Sequence, residues 1–387
     1  MNNVSIGSRR RQIETEEVII TAERREATEQ TTSISMVVFT GEDLAANQVQ
    51  SLVDLQNAMP GVQVQSIGPQ NWINIRGIGN SQGTPDAQMG VSVIQDGFTR
   101  GSPMGLNSAF FDINTIEVLR GPQGTFVGQS SAGGAIIINS ANPDFDGVHG
   151  YIEGTLGNYA RTKVTGALNL PISETLAARF AFNNENRDSY YYNRAQDVVI
   201  DGNPFSQPGS LEDRNLRFSL LWQPTDSFEA LFKVEDNSVD HQDDAQKPNP
   251  RPYTGVSTVG GVNVPVVTYS QFLNYSDPDP YTIRWSEISS DLQKDKLLTA
   301  RLSYTFANDI TLNSNSSFNR FEMRRYYDPD FSAVVSSPNY SGLGPGNDTK
   351  SQEFTLVSPE GPFNWIVGAF WSNRQEEIRG RISLANP

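Results

Sequence analysis

Few stretches of this chain carry residues able to do chemistry, and each has a plainer reading. The glycine-rich run Leu119–Ser140, LRGPQGTFVGQSSAGGAIIINS, invites a phosphate-loop assignment. No Gly-Lys-Ser/Thr follows it and no dinucleotide spacing fits, so its glycines read as tight turns between short strands. The acidic segment Val234–Gln246, VEDNSVDHQDDAQ, offers oxygen ligands to a hard cation. It lacks the spacing of a calcium loop and reads as a solvated outer loop. The two histidines, His149 and His241, lie far apart, and there is no cysteine. A histidine or thiolate metal site, a disulfide and a Ser/His/Asp triad are therefore not expected. Arg76 in NIRGIG and Arg120 in EVLRGP each end a β-rich run just before glycine; alone, either is a surface cation. No enzyme site, metal or cofactor is expected.

The elements around these residues divide the chain. At 387 residues it exceeds one ordinary core. Apolar content is 37%, lean for a packed enzyme, while 13 Tyr, 20 Phe and 5 Trp spread along the chain argue against disorder. A formal charge of −15 excludes a basic nucleic-acid face. No apolar run is long enough for a transmembrane helix. MNNVSIGSRRRQIE has a basic cluster without an apolar region behind it, so no signal peptide is expected.

Three segments follow. Residues 1–33 form a flexible N-terminal segment holding one strand-sized stretch, ETEEVIITAERRE (Glu14–Glu26), with no evident partner nearby. Residues 34–146 alternate β-rich runs with glycine turns: SMVVF, VQVQ, INIRG, VSVIQDG, IEVLRG and GAIIINS. Thr40 to Asp43 and Ser51 to Asp54 have the spacing of capping boxes. A compact α/β unit with a mixed sheet is expected there.

Residues 147–387 switch to strict alternation, as in Leu298, Ala300, Leu302, Tyr304 and Phe306 against Thr299, Arg301, Ser303 and Thr305. About nine such strands are expected, joined alternately by short turns and by longer segments over roughly 188–213, 237–294 and 327–349. Short turns on one side and long loops on the other suit a transmembrane β-barrel. Trp222, Phe228, Tyr304, Phe306, Phe363 and Trp365 sit beside the short turns, where interface aromatics belong. Tyr190, Tyr191 and Tyr192 fall at an outer strand end, with a girdle role expected. A soluble β-sandwich alternates too, but its strands are usually about 5–6 residues, against roughly ten here.

Together, EEVIITA, LVDLQNAMPGVQVQ, INIRGIG, VSVIQDG, IEVLRGPQGTFVGQSSAGGAIIINSANP and GNYARTKVTGALNLPISETLAARF resemble the TonB-dependent outer-membrane receptors. The resemblance implies an α/β plug inside an antiparallel barrel of about 22 strands, in the outer membrane of a Gram-negative bacterium. It implies that Glu17, Val18, Ile19, Ile20, Thr21 and Ala22 are a TonB box. TonB, energised with ExbB and ExbD, would capture that segment by adding it to a sheet edge and pull on the plug. Arg76 and Arg120 match plug arginines that pair with carboxylates on the barrel wall, on strands expected beyond residue 387. Gly77, Gly79, Gly121, Gly124, Gly128, Gly133 and Gly134 match turn glycines of the plug.

Nine strands neither enclose a plug nor match the even number of bacterial barrels, and SLANP lacks a terminal aromatic. Both ends therefore read as truncated. One expectation is an N-terminal portion of an importer, with a ferric siderophore as first choice of extracellular ligand and cobalamin, haem or an oligosaccharide as alternatives. The other is a non-transporting remnant acting at most as a binding or interaction module. Trp72 and Gln82 are the candidate substrate contacts on the plug.

Overall fold

The computed structural model describes residues 19–20, 27–28, 35–67, 70–79, 89–123, 131–193, 209–241, 256–259, 262–265, 279, 281–283, 290–327, 340–341 and 344–379. Its first strands, β1 (Ile19–Ile20) and β2 (Ala27–Thr28), pair antiparallel as Ile19↔Thr28 and Ile20↔Ala27. The stretch expected to lack a partner thus has one within the chain. Extended backbone leaves hydrogen-bonding groups open along its edge, and the next β-prone pair downstream meets them.

The mixed unit contains β3 (Met36–Thr40), α1 (Gly41–Ala46), α2 (Leu55–Ala58), β4 (Val62–Ile67), β5 (Gln70–Ile75), β6 (Ile78–Gly79), β7 (Val91–Gln95), β8 (Phe98–Arg100), β9 (Ile113–Arg120) and β10 (Gly134–Ser140). Five strands form one sheet in the order β3-β9-β10-β7-β8, with β10 and β7 parallel; β4-β5-β6 is a separate antiparallel sheet. On one face Val91, Val93, Ile116, Val118, Ile136 and Ile138 join a core with Leu52, Leu55 and Ile73. On the other, Met36, Ile94, Leu119, Ala135 and Ile137 form a second cluster. Both faces are covered, which is why GAIIINS is apolar without alternation.

At α1 the capping box forms: Thr40 Oγ1 accepts from the Asp43 amide at 3.2 Å, and the Asp43 carboxylate accepts from the Thr40 amide at 3.0 Å. The second expected box does not. Asp54 accepts from the Gln50 amide at 3.0 Å and the Ser51 hydroxyl at 2.8 Å. That holds residues 51–54 as a turn, and the helix begins only at Leu55, where Asp54 makes no side-chain cap bond.

Downstream lie β11 (His149–Leu156), β12 (Thr162–Ser173), β13 (Leu176–Arg187), β14 (Tyr192–Asn193), β15 (Leu211–Thr225), β16 (Phe228–His241) and β17 (Val256–Val259). They are followed by β18 (Val262–Pro265), β19 (Thr282–Ile283), β20 (Ser290–Thr305), β21 (Thr311–Tyr327), β22 (Tyr340–Ser341), β23 (Gly344–Val357) and β24 (Ile366–Arg379). The path β11-β12-β13-β15-β16-β20-β21-β23-β24 is one antiparallel wall of nine strands, with β22 added beside β21. Its strands reach 17 residues in β21, well beyond a sandwich strand.

Burial in this wall is inverted relative to a water-soluble sheet. Asn183, Asn215, Arg217, Lys233, Glu235 and Asn237 are buried, while Phe180, Phe218, Trp222, Val234, Leu298 and Phe354 are exposed. An apolar outer face of this extent belongs against lipid. Trp222 packs edge-on against Phe228 at 5.6 Å, and Tyr304 against Phe306 at 5.0 Å, both beside short turns. Among the described residues, no helix is long and apolar enough to cross a membrane.

One loop expectation needs correction. The acidic segment from Val234 is strand as far as His241, with Glu235 and Asn237 buried on the inner face. Its charge does not mark solvation, because the lumen side is filled with polar partners. Tyr190 and Tyr191 are half-buried, while Tyr192 is exposed. The Tyr190 and Tyr191 rings meet at 4.5 Å, tilted by 39°, and lie 6.5 and 6.2 Å from Tyr281.

Candidate functional site

The mixed unit meets the wall through buried polar groups, and a two-residue hairpin supplies the first contact. Asp96 and Gly97 both have positive φ, 47° and 83°, between β7 and β8, which suits the Asp-Gly sequence of a primed turn. The turn presents Asp96 to the wall. Its carboxylate accepts from Lys233 Nζ at 2.8 Å and from the Ser140 amide at 3.1 Å and hydroxyl at 2.9 Å. Lys233 also donates to the Ser140 carbonyl at 3.1 Å and hydroxyl at 2.6 Å. Burial alone would raise the Asp96 pKa, but the Lys233 and Arg217 charges outweigh it and hold the group down at about 2.

The flanking residues extend this contact. Arg100 Nη1 donates to Asp295 at 2.7 Å, and its Nη2 to Gln95 at 2.6 Å. Gln95 in turn donates to Glu235 at 2.9 Å. Glu235 also accepts from Arg217 at 2.7 Å and Asn237 at 2.6 Å, and Asp295 from Asn319 at 2.7 Å. A third contact centres on Asp112, which takes both arms of the Arg179 fork at 2.8 and 2.6 Å. Arg217 Nη1 donates to the Phe111 carbonyl at 3.1 Å while its guanidinium lies 4.2 Å over the Phe111 ring. Farther out, Asp213 accepts from the Ala109 amide at 3.1 Å, and Met104 packs against Phe321 and Met323.

These groups come from strands that are neighbours in register. Arg179, Ser219, Lys233 and Thr299 form one inward tier, and Ala181, Arg217, Glu235 and Leu297 the next. Breaking one member of a buried pair costs about 3–5 kcal/mol, because it strands the other charge. On the β12 side Arg161 and Lys163 donate to Gln50 at 3.1 and 3.2 Å. Beside these bonds a cavity of about 810 Å³ lies between α1 and the wall, with Tyr151, Glu153, Lys163 and Arg179 in its lining.

Residues expected from the sequence fall elsewhere. Arg76 is exposed, and its amide donates to the Gly61 carbonyl at 2.8 Å. Arg120 is half-buried, with its amide on the Ser35 carbonyl at 2.9 Å. Neither makes an ion pair among the described residues, and the structure does not bring them together with Asp96, Arg100 or Asp112. Gly77 and Gly121 follow them at φ +81° and +91°. A Cβ on Gly79, Gly133 or Gly134 would come within 2.1, 2.5 and 2.2 Å of neighbouring backbone oxygen. Trp72 is half-buried on β5 and donates its indole N–H to Gln70 at 3.3 Å. Glu17, Val18, Thr21, Ala22, Gln82, Gly124 and Gly128 lie outside the described residues.

Sequence reading missed Asp96, Arg100, Asp112, Arg179, Arg217, Lys233, Glu235 and Asp295. The available signal was the Asp-Gly turn, together with charges at the inward positions of alternating strands.

A mixed sheet held by buried charges inside a wall that is apolar outside and polar within defines a plugged outer-membrane barrel. Comparison with known proteins assigns that class. The TonB-dependent Receptor Plug Domain family matches residues 28–135. The vitamin B12 transporter BtuB of Vibrio vulnificus (strain YJ016) is 26% identical over 304 residues, covering 75% of this chain and 46% of that protein. The pesticin receptor of Yersinia pestis is 30% identical over 146 residues, covering 37% of this chain and 21% of that receptor. Among solved structures, the ferric yersiniabactin uptake receptor FyuA from Yersinia pestis superposes with a TM-score of 0.72 at 19% identity, covering 91% of this chain and 50% of FyuA. The ferric-catecholate import receptor Fiu from E. coli K12 gives 0.66 at 16% identity, covering 92% of this chain and 51% of Fiu. This chain carries the plug domain of the TonB-dependent receptors of the Gram-negative outer membrane at residues 28–135, followed by nine antiparallel strands with the fold of such a receptor's barrel wall. It spans about half the length of FyuA and of the vitamin B12 transporter.

Proposed function

We propose that this chain is the plug and part of the barrel of an energy-coupled importer, and that its cargo is a ferric siderophore. The observation that carries the import reading is the nature of the plug contact. It consists of hydrogen-bonded charges around Asp96, Arg100 and Asp112 rather than a continuous apolar core. Such contacts exchange for water when the plug moves and re-form when it returns. TonB, driven through ExbB and ExbD, is the partner that pulls. The segment Glu17–Ala22 is its handle, and Ile19–Ile20 would leave the short ladder with Ala27–Thr28 for TonB's sheet edge. Arg76 and Arg120 would pair with carboxylates on wall strands outside this chain, and Trp72 and Gln82 would meet cargo on the plug's outer side.

Ferric siderophore as cargo is supported by the likeness to FyuA, a ferric yersiniabactin uptake receptor, and to Fiu, a ferric-catecholate import receptor, while the likeness to the vitamin B12 transporter supports cobalamin as the second choice. Uptake of radiolabelled ferric siderophores and of cobalamin by cells with and without the intact gene tests both. Gene-dependent, TonB-dependent accumulation of iron and not cobalamin is the expected result. Cobalamin uptake alone overturns the cargo, and no TonB-dependent uptake of any compound favours the remnant.

A further inference from the structure

The space between α1 and the wall runs along the barrel. Tyr151, Glu153 and Thr155, three successive inward positions of β11, all line it. On the neighbouring strands its lining extends from Arg179, close to the short turn before β13, to Lys163, close to the outer turn before β12. Asn169 is the register partner of Arg179, and Lys163 is six positions along β12 from Asn169. At about 3.4 Å per residue and a tilt near 40°, that separation is roughly 16 Å along the membrane normal. A volume of about 810 Å³ over this height gives a mean cross-section of roughly 50 Å², which admits a hydrated monovalent ion.

One neutral side chain closes the outer end. Gln50 Oε1 accepts from Arg161 Nη2 at 3.1 Å and from Lys163 Nζ at 3.2 Å. Arg161 Nε also donates to Glu185 at 2.8 Å, and Lys163 Nζ lies 3.7 Å from the same carboxylate. Neither Arg161 nor Glu185 belongs to the lining, so the space stops beneath this knot. The Gln50 backbone is fixed separately: its amide donates to Asp54 at 3.0 Å and its carbonyl accepts from the Phe110 amide at 2.7 Å. Loss of the side chain therefore leaves the plug segment in place.

The lining carries an excess of negative charge. Asp112 is paired with Arg179, and Lys163 with Glu185. Glu42 and Glu153 also line the space, are exposed, and make no ion pair among the described residues. A narrow polar passage with uncompensated carboxylates concentrates cations and repels anions.

We propose that Gln50 seals a cation-selective passage beside the plug, closed while Arg161 and Lys163 hold it. The proposal rests on the seating of the plug against the wall and not on the cargo. Its test is the ionic current through the complete receptor in planar lipid bilayers, without TonB, under a potassium chloride gradient. The wild type and Gln50→Glu, whose carboxylate keeps both cations, should stay closed. Gln50→Ala should conduct, with a reversal potential that shows a several-fold preference for potassium over chloride. Adding Glu42→Gln and Glu153→Gln should remove most of that preference without closing the passage. Gln50→Asn falls one methylene short of the cations and should leak too; it decides the matter if the alanine variant fails to assemble. Equal current in the wild type and the opened variants overturns the seal. A current that favours chloride, or a preference that survives loss of both carboxylates, overturns the assignment of the passage to this space.

Discussion

Replacing Lys233 by Met should release the β7–β8 hairpin from the barrel wall. Lys233 Nζ makes contacts of 2.8 Å to Asp96 and of 2.6 and 3.1 Å to Ser140. Without it, the Asp96 carboxylate stays buried with only Ser140 as a donor. Stranding a buried charge costs about 3–5 kcal/mol, which is more than a hundredfold in a local opening equilibrium. Amide hydrogen exchange on the membrane-reconstituted receptor reads this directly. Protection should fall at Gln95–Arg100 and near Ser140, and stay unchanged at the far end of β10 around Ala135. Combining Lys233→Met with Asp96→Asn removes both charges and should recover most of the loss, because an absent pair strands nothing. Unchanged exchange in the single variant would refute the latch. A double variant as loose as the single one would refute the electrostatic account of it.

Acid should weaken the same contact. Asp96 titrates near 2 in the folded receptor against about 3.8 when unfolded, so its contribution is complete above pH 4 and disappears as pH falls toward 2. Hairpin protection measured across that window should drop in the wild type and stay flat in Asp96→Asn. Gly105→Ala should destabilise the plug by roughly 1–3 kcal/mol, because Gly105 has φ +78° and an added Cβ would lie 2.8 Å from the Phe321 ring. Adding Phe321→Ala should relieve the clash but not the backbone strain; full rescue in thermal melts would argue against the strain. A Glu14–Glu26 peptide should bind the C-terminal domain of TonB, and Ile19→Pro, lacking a backbone donor, should weaken binding in calorimetry. Equal affinities would count against strand pairing. Arg120→Ala in the complete receptor should loosen the plug, with unchanged hydrogen exchange as the contrary result.

Local features were legible where neighbouring residues decide them. The Thr40–Asp43 box and the nine alternating strands both depend on contacts or periodicities within a few residues. The Ser51 box failed because Asp54 found a competing amide at Gln50, and spacing alone does not rank competitors. VEDNSVDH misled because acidity was weighed above alternation, although its odd positions face a polar lumen. The plug contacts were out of reach for a different reason. Asp96 and Lys233 are separated by 137 residues, and Arg100 and Asp295 by 195. Which inward charge meets which plug acid depends on how the plug is rotated within the wall. No local pattern encodes that rotation.

The inverted burial of the wall means that hydrophobicity carries opposite meanings in the two halves of one chain. In the plug, Val93 and Ile136 are confined to a dry interior, and a charge there meets no solvent. In the wall, Phe218 and Val234 face outward, while the dry side holds Arg217 and Glu235. A tolerance map of every single substitution should therefore change sign between Ser140 and His149: aspartate forbidden at Val93 and Ile136 before it, and at Phe218 and Val234 after it. The folding pathway inherits the same division. The plug can condense in water, whereas the wall is adhesive until an amphiphile covers it. A cell making this protein must keep its second half escorted through an aqueous compartment that its first half tolerates unaided.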